Sequence, residues 1–271
     1  MRTTAYVAYA AAMLTYCTHT ATAQTVYAII AADNESSLPG VTKNVDAIEG
    51  ILSSLKIEGG IPVVIHEVKG DNFGCQAIRD AVANTNWGKD DTVIFYYAGH
   101  GYKDTPAQSK FPGLDCRMSQ AEPRTDLNGI VSMMSEPGPI ASPPRLIIAV
   151  ADACNTGSEQ VVTAPAGQPA SGAKRREALR KLFLGYSGRL IMSGCIPGEW
   201  CFYIPGQGGL FTLTRFVTAI DRAVNSGSAA SWPKIVDEAT RVIKVPTNAW
   251  GQATQAPQSS DLKELSEASS R

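Results

Sequence analysis

Two residues that could perform nucleophilic catalysis each follow a short apolar run of the sequence. His100 comes after the run VIFYYAG, and Cys154 comes after the run LIIAVADA. A thiol with an ordinary pKa of about 8.5 is only partly ionised at neutral pH, and a neighbouring imidazole increases its reactivity. The same imidazole could then protonate a departing amine. If the two side chains meet, they predict acyl transfer through a cysteine nucleophile.

The surrounding pattern of strands and helices favours such a meeting. Short apolar runs rich in branched residues indicate strands that are buried on both faces of a parallel sheet. These runs are Val26–Ala32, Pro62–Val68, Thr92–Tyr97, Leu146–Val150 and Arg189–Met192. Between and after them, apolar residues recur at helical spacing, as in Val45, Ile48, Leu52 and Leu55. This alternation predicts an α/β fold with a doubly wound sheet, in which ligands bind beyond the carboxyl ends of the strands.

Small residues beside the two candidates would let a substrate backbone come close. Gly99, Gly101 and Ala153 have little or no side chain. The backbone amides of Gly101 and Cys154 are candidate donors to a developing oxyanion. A lone histidine after a strand is more often structural, and a lone buried cysteine is usually inert. The combination of His-Gly after one strand with Asp-x-Cys-x-x-Gly after another is a stronger signal.

Both motifs resemble those of a known family. YYAGHG and DACNTG are similar to the His-Gly and Asp-x-Cys-x-x-Gly boxes of the metacaspase and bacterial caspase-like branch of the caspase superfamily. His100 and Cys154 are 54 residues apart, and caspases place their histidine roughly 50 residues before the cysteine. Other segments, from Val26 to Gln258, follow the family's order: LPGVTKNVDAIEGIL, RLIMSGCIPGEW, GGLFTLTRFVTAI and QAPQ.

The resemblance implies both a fold and an activity. The fold would be caspase-like: a doubly wound, mainly parallel six-stranded sheet flanked by helices. The activity would be that of a cysteine endopeptidase with Cys154 as nucleophile and His100 as base. Two alternatives stay open: a catalytically silent caspase-fold interaction module, and a related Cys-His peptidase with a different P1 specificity. The intact Cys-His pair favours an enzyme, which would act on a peptide or protein substrate, while the oligomeric state stays open.

The residue two positions before the nucleophile sets the expected specificity. True caspases carry Gln-Ala-Cys there and choose aspartate at P1, whereas this sequence carries Asp152. The resemblance implies that Asp152 lines the S1 pocket and holds an Arg or Lys side chain through a charge-assisted pair. It also implies S1 roles for Asp46, in the first-helix segment, and for Ser193, in the fifth-strand segment.

No metal or other cofactor is expected. The aspartate clusters that bind calcium in many metacaspases are not recognisable, and the nearest acids are Asp115 and Asp126. The sequence has no Cys-x-x-Cys pair and only three histidines, so it gives little support to a zinc site. Its 24 basic and 25 acidic residues nearly cancel, which argues against a nucleic acid or an anionic lipid as partner.

The N-terminal residues have the pattern of a secretory signal peptide. Residues 1–23 join a short basic start to an apolar stretch and to the A-x-A sequence Ala21-Thr22-Ala23. The alternative, a first strand or amphipathic helix, does not explain the cleavage pattern, and the segment is too short for a membrane anchor. We therefore expect an exported protein, periplasmic or extracellular, with a peptidase domain at 24–258 and a polar tail at 259–271. The polar stretch from Gln252 is expected to fray after Pro257.

Export changes how the cysteines are interpreted. Removal of Cys17 with the signal leaves five, an odd number that suits four structural cysteines and one free thiol in an oxidising compartment. The pairing among Cys75, Cys116, Cys195 and Cys201 stays open. Cys195 and Cys201 are close enough in sequence to close a small loop across Pro197-Gly198.

Two stretches break the strand-helix rhythm. Residues 103–144 contain seven prolines and are predicted to form long surface loops. Residues 157–174 are rich in small residues and lead into Lys174, Arg175 and Arg176. Caspases keep the linker that is cut during maturation just after the nucleophile, so the resemblance makes these three residues candidates for self-processing. The alternative is the basic start of a helix that continues through Glu177–Leu184.

Overall fold

A computed structural model describes the parts of the chain that form the sheet and its helices. The described residues are 24–35, 38, 40–102, 109–116, 125–136, 142–153, 160–161, 172–194, 202–204, 208–209, 212, 215–240 and 258–265. The predicted signal peptide, Cys154, Cys195 and Cys201 lie outside these residues. Within the described part, no helix is both long enough and apolar enough to cross a membrane.

The elements alternate along the chain as the sequence pattern predicts. The strands are β1 (Val26–Ala32), β2 (Val63–Lys69), β3 (Thr92–Ala98), β4 (Gly101–Tyr102), β5 (Gly113–Leu114), β6 (Leu146–Asp152), β7 (Gln160–Val161), β8 (Tyr186–Ser193), β9 (Phe202–Ile204), β10 (Gly208–Gly209), β11 (Gln258–Ser260) and β12 (Lys263–Glu264). The helices are α1 (Val41–Ile57), α2 (Cys75–Asn84), α3 (Leu127–Ser135), α4 (Gly172–Leu184), α5 (Val217–Asn225) and α6 (Trp232–Thr240).

Six strands form the central sheet in the order β2-β1-β3-β6-β8-β11. The first five pair in parallel, while β11 is antiparallel to β8. The short strand β12 also pairs with β8. Strands β3 and β6 are buried along their whole length, which explains why their sequences are apolar without alternation. The prediction of a mainly parallel, six-stranded sheet flanked by helices is confirmed.

Each face of the sheet carries its own hydrophobic core. One face packs against α1, α4, α5 and α6 and includes Tyr96 from β3. The other packs against α2 and α3 and includes Tyr97, the next residue of the same strand. Successive strand residues point to opposite faces, so these neighbouring tyrosines belong to different cores.

The prediction of loops throughout 103–144 is wrong for residues 127–135, which form α3. Asp126 caps this helix by accepting a hydrogen bond from the backbone N–H of Gly129 at 2.6 Å. The buried residues Leu127, Ile130, Val131 and Met134 recur at helical spacing. All seven prolines lie outside 127–135, so their number concealed a helix that none of them interrupts.

The predicted boundary of the polar tail also differs from the structure. Residues 258–260 and 263–264 form β11 and β12, which pair with β8. Between them, Asp261 binds the guanidinium of Arg189, with 2.8 Å between Oδ2 and Nη2. Backbone pairing and this ion pair hold a polar segment that has no hydrophobic pattern of its own.

Candidate active site

The ends of β3 and β6 bring the histidine motif next to Asp152. Ala98, the last residue of β3, is the register partner of Asp152, the last residue of β6. The backbone N–H of Gly99 donates to the carbonyl oxygen of Asp152 at 3.4 Å. His100 therefore follows a strand end that is joined to Asp152. Cys154, two residues further along the sequence, lies outside the described residues.

His100 is held through its main chain. Its carbonyl oxygen accepts a hydrogen bond from the hydroxyl of Tyr97 at 2.6 Å and another from the backbone N–H of Asp115 at 3.0 Å. The next residue, Gly101, begins β4 and pairs antiparallel with Leu114 of β5. The segment around His100 is thus fixed before any substrate binds.

Two glycines allow this close arrangement. A Cβ on Gly99 would lie 2.9 Å from the hydroxyl oxygen of Tyr97, which is closer than real Cβ contacts. A Cβ on Gly113, in β5, would lie 2.3 Å from the ring of Tyr102. The hydroxyl of Tyr102 donates to the carbonyl oxygen of Thr125 at 3.3 Å, which holds the ring across β5. Side chains at either glycine would displace the histidine segment.

Tyr97 is suited to act as a permanent donor. Burial raises the pKa of its hydroxyl well above the ordinary value, and the negative charges of Asp115 and Asp33 raise it further. The hydroxyl therefore stays protonated throughout the neutral range and keeps its hydrogen bond to His100.

Asp152 is a fully buried carboxyl group within a polar network. It has no solvent exposure. Its Oδ2 accepts hydrogen bonds from Asn44 Nδ2 at 2.9 Å and from the backbone N–H of Thr212 at 3.2 Å. The hydroxyl of Tyr96 lies 3.0 Å from Thr212 Oγ1, also in hydrogen-bond contact. Residues from α1, β3, β6 and the segment before α5 thus converge on one carboxylate.

Burial dominates the ionisation of Asp152. It raises the pKa of the carboxyl group to about 6, although the hydrogen bonds from Thr212 and Asn44 act in the opposite direction. The group is therefore ionised at neutral pH and becomes protonated in mildly acidic solution. A buried carboxylate whose donors Asn44 and Thr212 are both neutral can bind a cation.

The α1 residue that contacts Asp152 is Asn44. Asp46, the residue that the sequence motif indicated, is exposed on the same helix, whereas Asn44 is fully buried. Two positions on a helix differ by about 200°, so they face opposite sides. The structure does not bring Asp46 to the network, and its role in S1 stays a prediction.

Sequence reasoning missed Asn44, Tyr96 and Thr212, although signals for two of them were present. Asn44 is a polar residue on the apolar stripe of α1, one turn before Ile48. Thr212 lies within GGLFTLTRFVTAI, one of the segments that resemble the caspase superfamily.

Ser193 does reach the same strand edge. It is the last residue of β8, is fully buried, and pairs in register with Ala151. The backbone N–H of Gly194 donates to the carbonyl oxygen of Ala151 at 3.0 Å. Ser193 and Asp152 thus end adjacent strands. Ser193 shares its register position with Ala151, on the face covered by α2 and α3, whereas Asp152 alternates to the opposite face. The role of Ser193 in S1 stays a prediction.

Comparison with known proteins agrees with this geometry. A family model described as the caspase domain matches residues 25–265. The chain belongs to the caspase family. Its structure is similar to that of caspase-1 from Spodoptera frugiperda, with a TM-score of 0.53 and 11% sequence identity over 88% of this chain and 86% of that chain. At this identity the likeness shows the fold alone. No curated protein matches the sequence.

The candidate self-processing residues of this caspase domain lie in a helix. Lys174, Arg175 and Arg176 fall within α4, as the alternative interpretation predicted. Arg175 forms an ion pair with Glu58, with 2.6 Å between Nε and Oε2, and donates to Asn225 Oδ1 at 2.8 Å. Arg176 donates from Nε to the carbonyl oxygen of Glu58 at 2.9 Å.

Two of the cysteines form a disulfide. Cys75, the first residue of α2, is bonded to Cys116, which directly follows Asp115. Both are buried in the core beneath α2 and α3. The partners of Cys195 and Cys201 stay open, because these residues lie outside the described part.

The two acids considered for calcium both lie within the described residues. Asp126 serves as the cap of α3, and Asp115 is exposed. Among the described residues, no group of three or more His, Cys, Asp or Glu side chains is placed to hold a metal ion.

Proposed function

We propose that this caspase-family protein is an exported cysteine endopeptidase that cleaves after arginine or lysine. The observation that carries the proposal is the position of Asp152. Asp152 is the buried last residue of β6. Its backbone carbonyl oxygen accepts a hydrogen bond from Gly99, the residue before His100. If Asp152 recognises a basic side chain, it would do so beside the expected general base, His100.

His100 and Cys154 would act as a nucleophile-base pair. His100 takes the thiol proton of Cys154, and the thiolate attacks the scissile carbonyl carbon. The backbone N–H groups of Gly101 and Cys154 stabilise the oxyanion that forms on the carbonyl oxygen. As the intermediate collapses, His100 gives its proton to the departing amine and a thioester remains. Water then attacks the thioester with His100 as base, which releases the new carboxyl terminus and restores the thiol.

Asp152 would select the P1 residue by charge. The two donors that contact its Oδ2, the Asn44 amide and the Thr212 N–H, are neutral and do not compensate for its negative charge. A guanidinium or ammonium group can compensate for this charge in a place without solvent. An aspartate at P1 would bring a second negative charge and would be rejected.

The dyad is tested by removing each member. Wild type, Cys154→Ala and His100→Ala are assayed on a fluorogenic library that varies only at P1. Each substitution should lower kcat/KM by at least about 10³-fold, because nucleophile and base act as one unit. Near-ultraviolet circular dichroism and Tm should stay close to wild type. Wild-type turnover by Cys154→Ala would remove the proposal, and an inactive wild type would favour a silent interaction module.

The same library tests specificity. Substrates with Arg or Lys at P1 should be cleaved at least about 100-fold faster than those with Asp, since mispairing a buried charge costs about 2–5 kcal/mol. Equal rates on Arg and Asp substrates would show that Asp152 does not select the P1 residue. The proposal of a cysteine peptidase would not be affected.

Export is supported by the signal-like N-terminus and by the Cys75–Cys116 disulfide. Disulfides persist in oxidising compartments and are rare in the cytosol. Intact-mass analysis of the protein after expression in an exporting host should give a chain that begins at Gln24. A full-length, intracellular product would contradict export.

Self-processing after Lys174, Arg175 or Arg176 is the last part of the proposal. Cleavage there requires the first turn of α4 to unwind, and the ion pair between Arg175 and Glu58 opposes this. Wild type should yield two associated fragments that Cys154→Ala and the triple alanine variant do not yield. Glu58→Gln should accelerate the cut, because it weakens the ion pair. An active wild-type enzyme that remains full length would show that this cluster only begins the helix.

A further inference from the structure

The two hydrogen bonds that hold the carbonyl of His100 are both supported from the beginning of α2. One donor is the backbone N–H of Asp115, and the next residue, Cys116, is bonded to Cys75. The other donor is the hydroxyl of Tyr97, whose ring packs against Phe73 with 6.2 Å between centroids. Phe73 and Cys75 are separated by a single residue. Residues 73–75 thus support both donors that bind the carbonyl oxygen of His100.

The disulfide is a firm anchor because both of its ends are buried. Cys75 is 0% exposed and Cys116 is 1% exposed. Cys75 shares the core beneath α2 with Ile78 and Val82, which are also buried in that helix. The bond therefore fixes Cys116, and Asp115 beside it, to a helix that packs directly on the sheet.

Residues 112–114, just before Asp115, are hydrogen-bonded to the beginning of α3. The N–H of Leu114 donates to the carbonyl oxygen of Thr125 at 3.0 Å, and the N–H of Leu127 donates to the carbonyl oxygen of Pro112 at 3.2 Å. These bonds tie the segment to the beginning of α3. They would survive loss of the disulfide, whereas the covalent link to α2 would not.

His100 lies within the loop that the disulfide closes. The two cysteines are 41 residues apart, and the sequence between them contains α2, β3, β4 and β5. The bond thus joins both sides of the turn that carries the histidine. Its loss would leave the strand end in the sheet but would loosen the support on one side of that turn.

We propose that the Cys75–Cys116 disulfide is a positioning element for the catalytic histidine. It holds the Asp115 N–H against the His100 carbonyl and thereby fixes where the imidazole stands. This inference rests on the proposed peptidase function. The active enzyme then needs two sulfur states at once: an oxidised, buried pair that supports the base, and a reduced thiol that attacks the substrate.

The main test compares Cys75→Ala/Cys116→Ala with wild type at a temperature where both are fully folded. The substrate is a peptide with arginine at P1. Displacement of a catalytic group by about 1 Å can cost roughly 100-fold in rate, and a loosened support should cost about tenfold in kcat. KM should change less than about twofold, because the Asp152 network is on the opposite face of the sheet.

Trp232→Phe is the control for simple destabilisation. Trp232 is fully buried in the other core and donates from Nε1 to the carbonyl oxygen of Leu182 at 2.7 Å. Its substitution should lower Tm while leaving kcat and KM as in wild type. If the double alanine variant behaves like this control, the disulfide only stabilises the fold and the positioning role is wrong.

A second variant pair tests the same hydrogen bond with the disulfide intact. Asp115→Pro removes the N–H that reaches His100, whereas Asp115→Ala keeps it. The proline variant should have a severalfold lower kcat than the alanine variant, with similar KM. Equal kcat values would overturn the inference even if the double cysteine variant does not fold. A wild type without Cys154-dependent hydrolysis would instead overturn the proposed function, and the positioning role with it.

Discussion

The two halves of the candidate site are held in different ways. His100 is fixed through its main chain, by bonds to its carbonyl oxygen that do not depend on the charge of the imidazole. Asp152 is fixed through its side chain, by donors that bind the carboxylate itself. A histidine that gains and loses a proton in each cycle, as proposed for His100, is best held by hydrogen bonds that its charge does not affect. A carboxylate that recognises a charged side chain, as proposed for Asp152, is best held by donors that bind the carboxylate and fix its orientation.

The two halves also draw on different cores. The support of His100 comes from Tyr97 and the disulfide, on the face covered by α2 and α3. The support of Asp152 comes from Asn44 of α1 and from Thr212, which Tyr96 contacts in turn, on the opposite face. A main-chain hydrogen bond from Gly99 to Asp152 connects them. Substitutions in one half should therefore change turnover, and those in the other half should change substrate selection.

Asp152→Asn should have the largest effect and should separate activity from stability. On substrates with arginine at P1, kcat/KM should fall by the equivalent of about 2–5 kcal/mol, because a buried charge pair is lost. The part of the pH dependence near 6 that comes from ionisation of Asp152 should be absent from the remaining activity. Stopped assays from pH 5 to pH 8 measure both effects. Wild-type activity of this variant on arginine substrates would contradict the division into two halves.

The same substitution should stabilise the fold at high pH. The pKa of Asp152 is about 6 in the folded protein against an ordinary 3.8. Its protonated form therefore contributes stability that is complete below about pH 3.8 and is lost as pH rises through about 6. Asparagine carries no charge, so at pH 8 the variant should gain up to about 3 kcal/mol over wild type, relative to their difference at acidic pH. Urea unfolding at pH 4 and pH 8, in a Cys154→Ala background, provides the measurement.

Asn44→Ala should have a smaller effect of the same kind. Removing the donor leaves the buried carboxylate with one fewer hydrogen bond, at a cost of about 1–3 kcal/mol in the free energy of unfolding at pH 8. The apparent pKa in the activity profile on arginine substrates should rise. Asp46→Ala is the matched variant, exposed on the same helix, and should change stability by less than about 0.5 kcal/mol. A larger loss of arginine selectivity in Asp46→Ala than in Asn44→Ala would assign S1 to Asp46.

The neighbouring tyrosines of β3 give the finest comparison. Tyr97→Phe removes a donor to the His100 carbonyl, so kcat should fall by the equivalent of about 0.5–1.5 kcal/mol with KM nearly constant. Tyr96→Phe removes the contact with Thr212 on the other face, so KM for arginine substrates should rise more than kcat falls. Steady-state kinetics of the two variants decide this. Identical changes in both would show that the halves are not independent.

The sheet was largely predictable from the sequence because its strands are buried on both faces. The runs predicted at Val26–Ala32 and Leu146–Val150 coincide with β1 and with most of β6. His100 could be singled out as a candidate because the histidine motif follows such a run. In contrast, the contact between Asn44 and Asp152 joins residues 108 positions apart. Local pattern carries no information about such a contact until the fold is known.

The disulfide could not be predicted for a related reason. Four candidate cysteines allow three pairings, and sequence alone does not choose between them. Cys75 and Cys116 meet because α2 and the Asp115 segment pack in one core, with 5.0 Å between the two Cα atoms. α3 was concealed by the prolines around it, although its own residues have helical spacing.

The last strands of the sheet have a consequence for how the chain is made. β11 and β12 follow every other strand in sequence, yet they pair with β8, more than 60 residues earlier. Until they are synthesised, β8 presents an unpaired edge, and such edges invite pairing with other chains. Contacts between distant parts of a chain also form slowly. We therefore expect the β8 edge of a newly synthesised molecule to be open to pairing with other chains until residues 258–265 join the sheet.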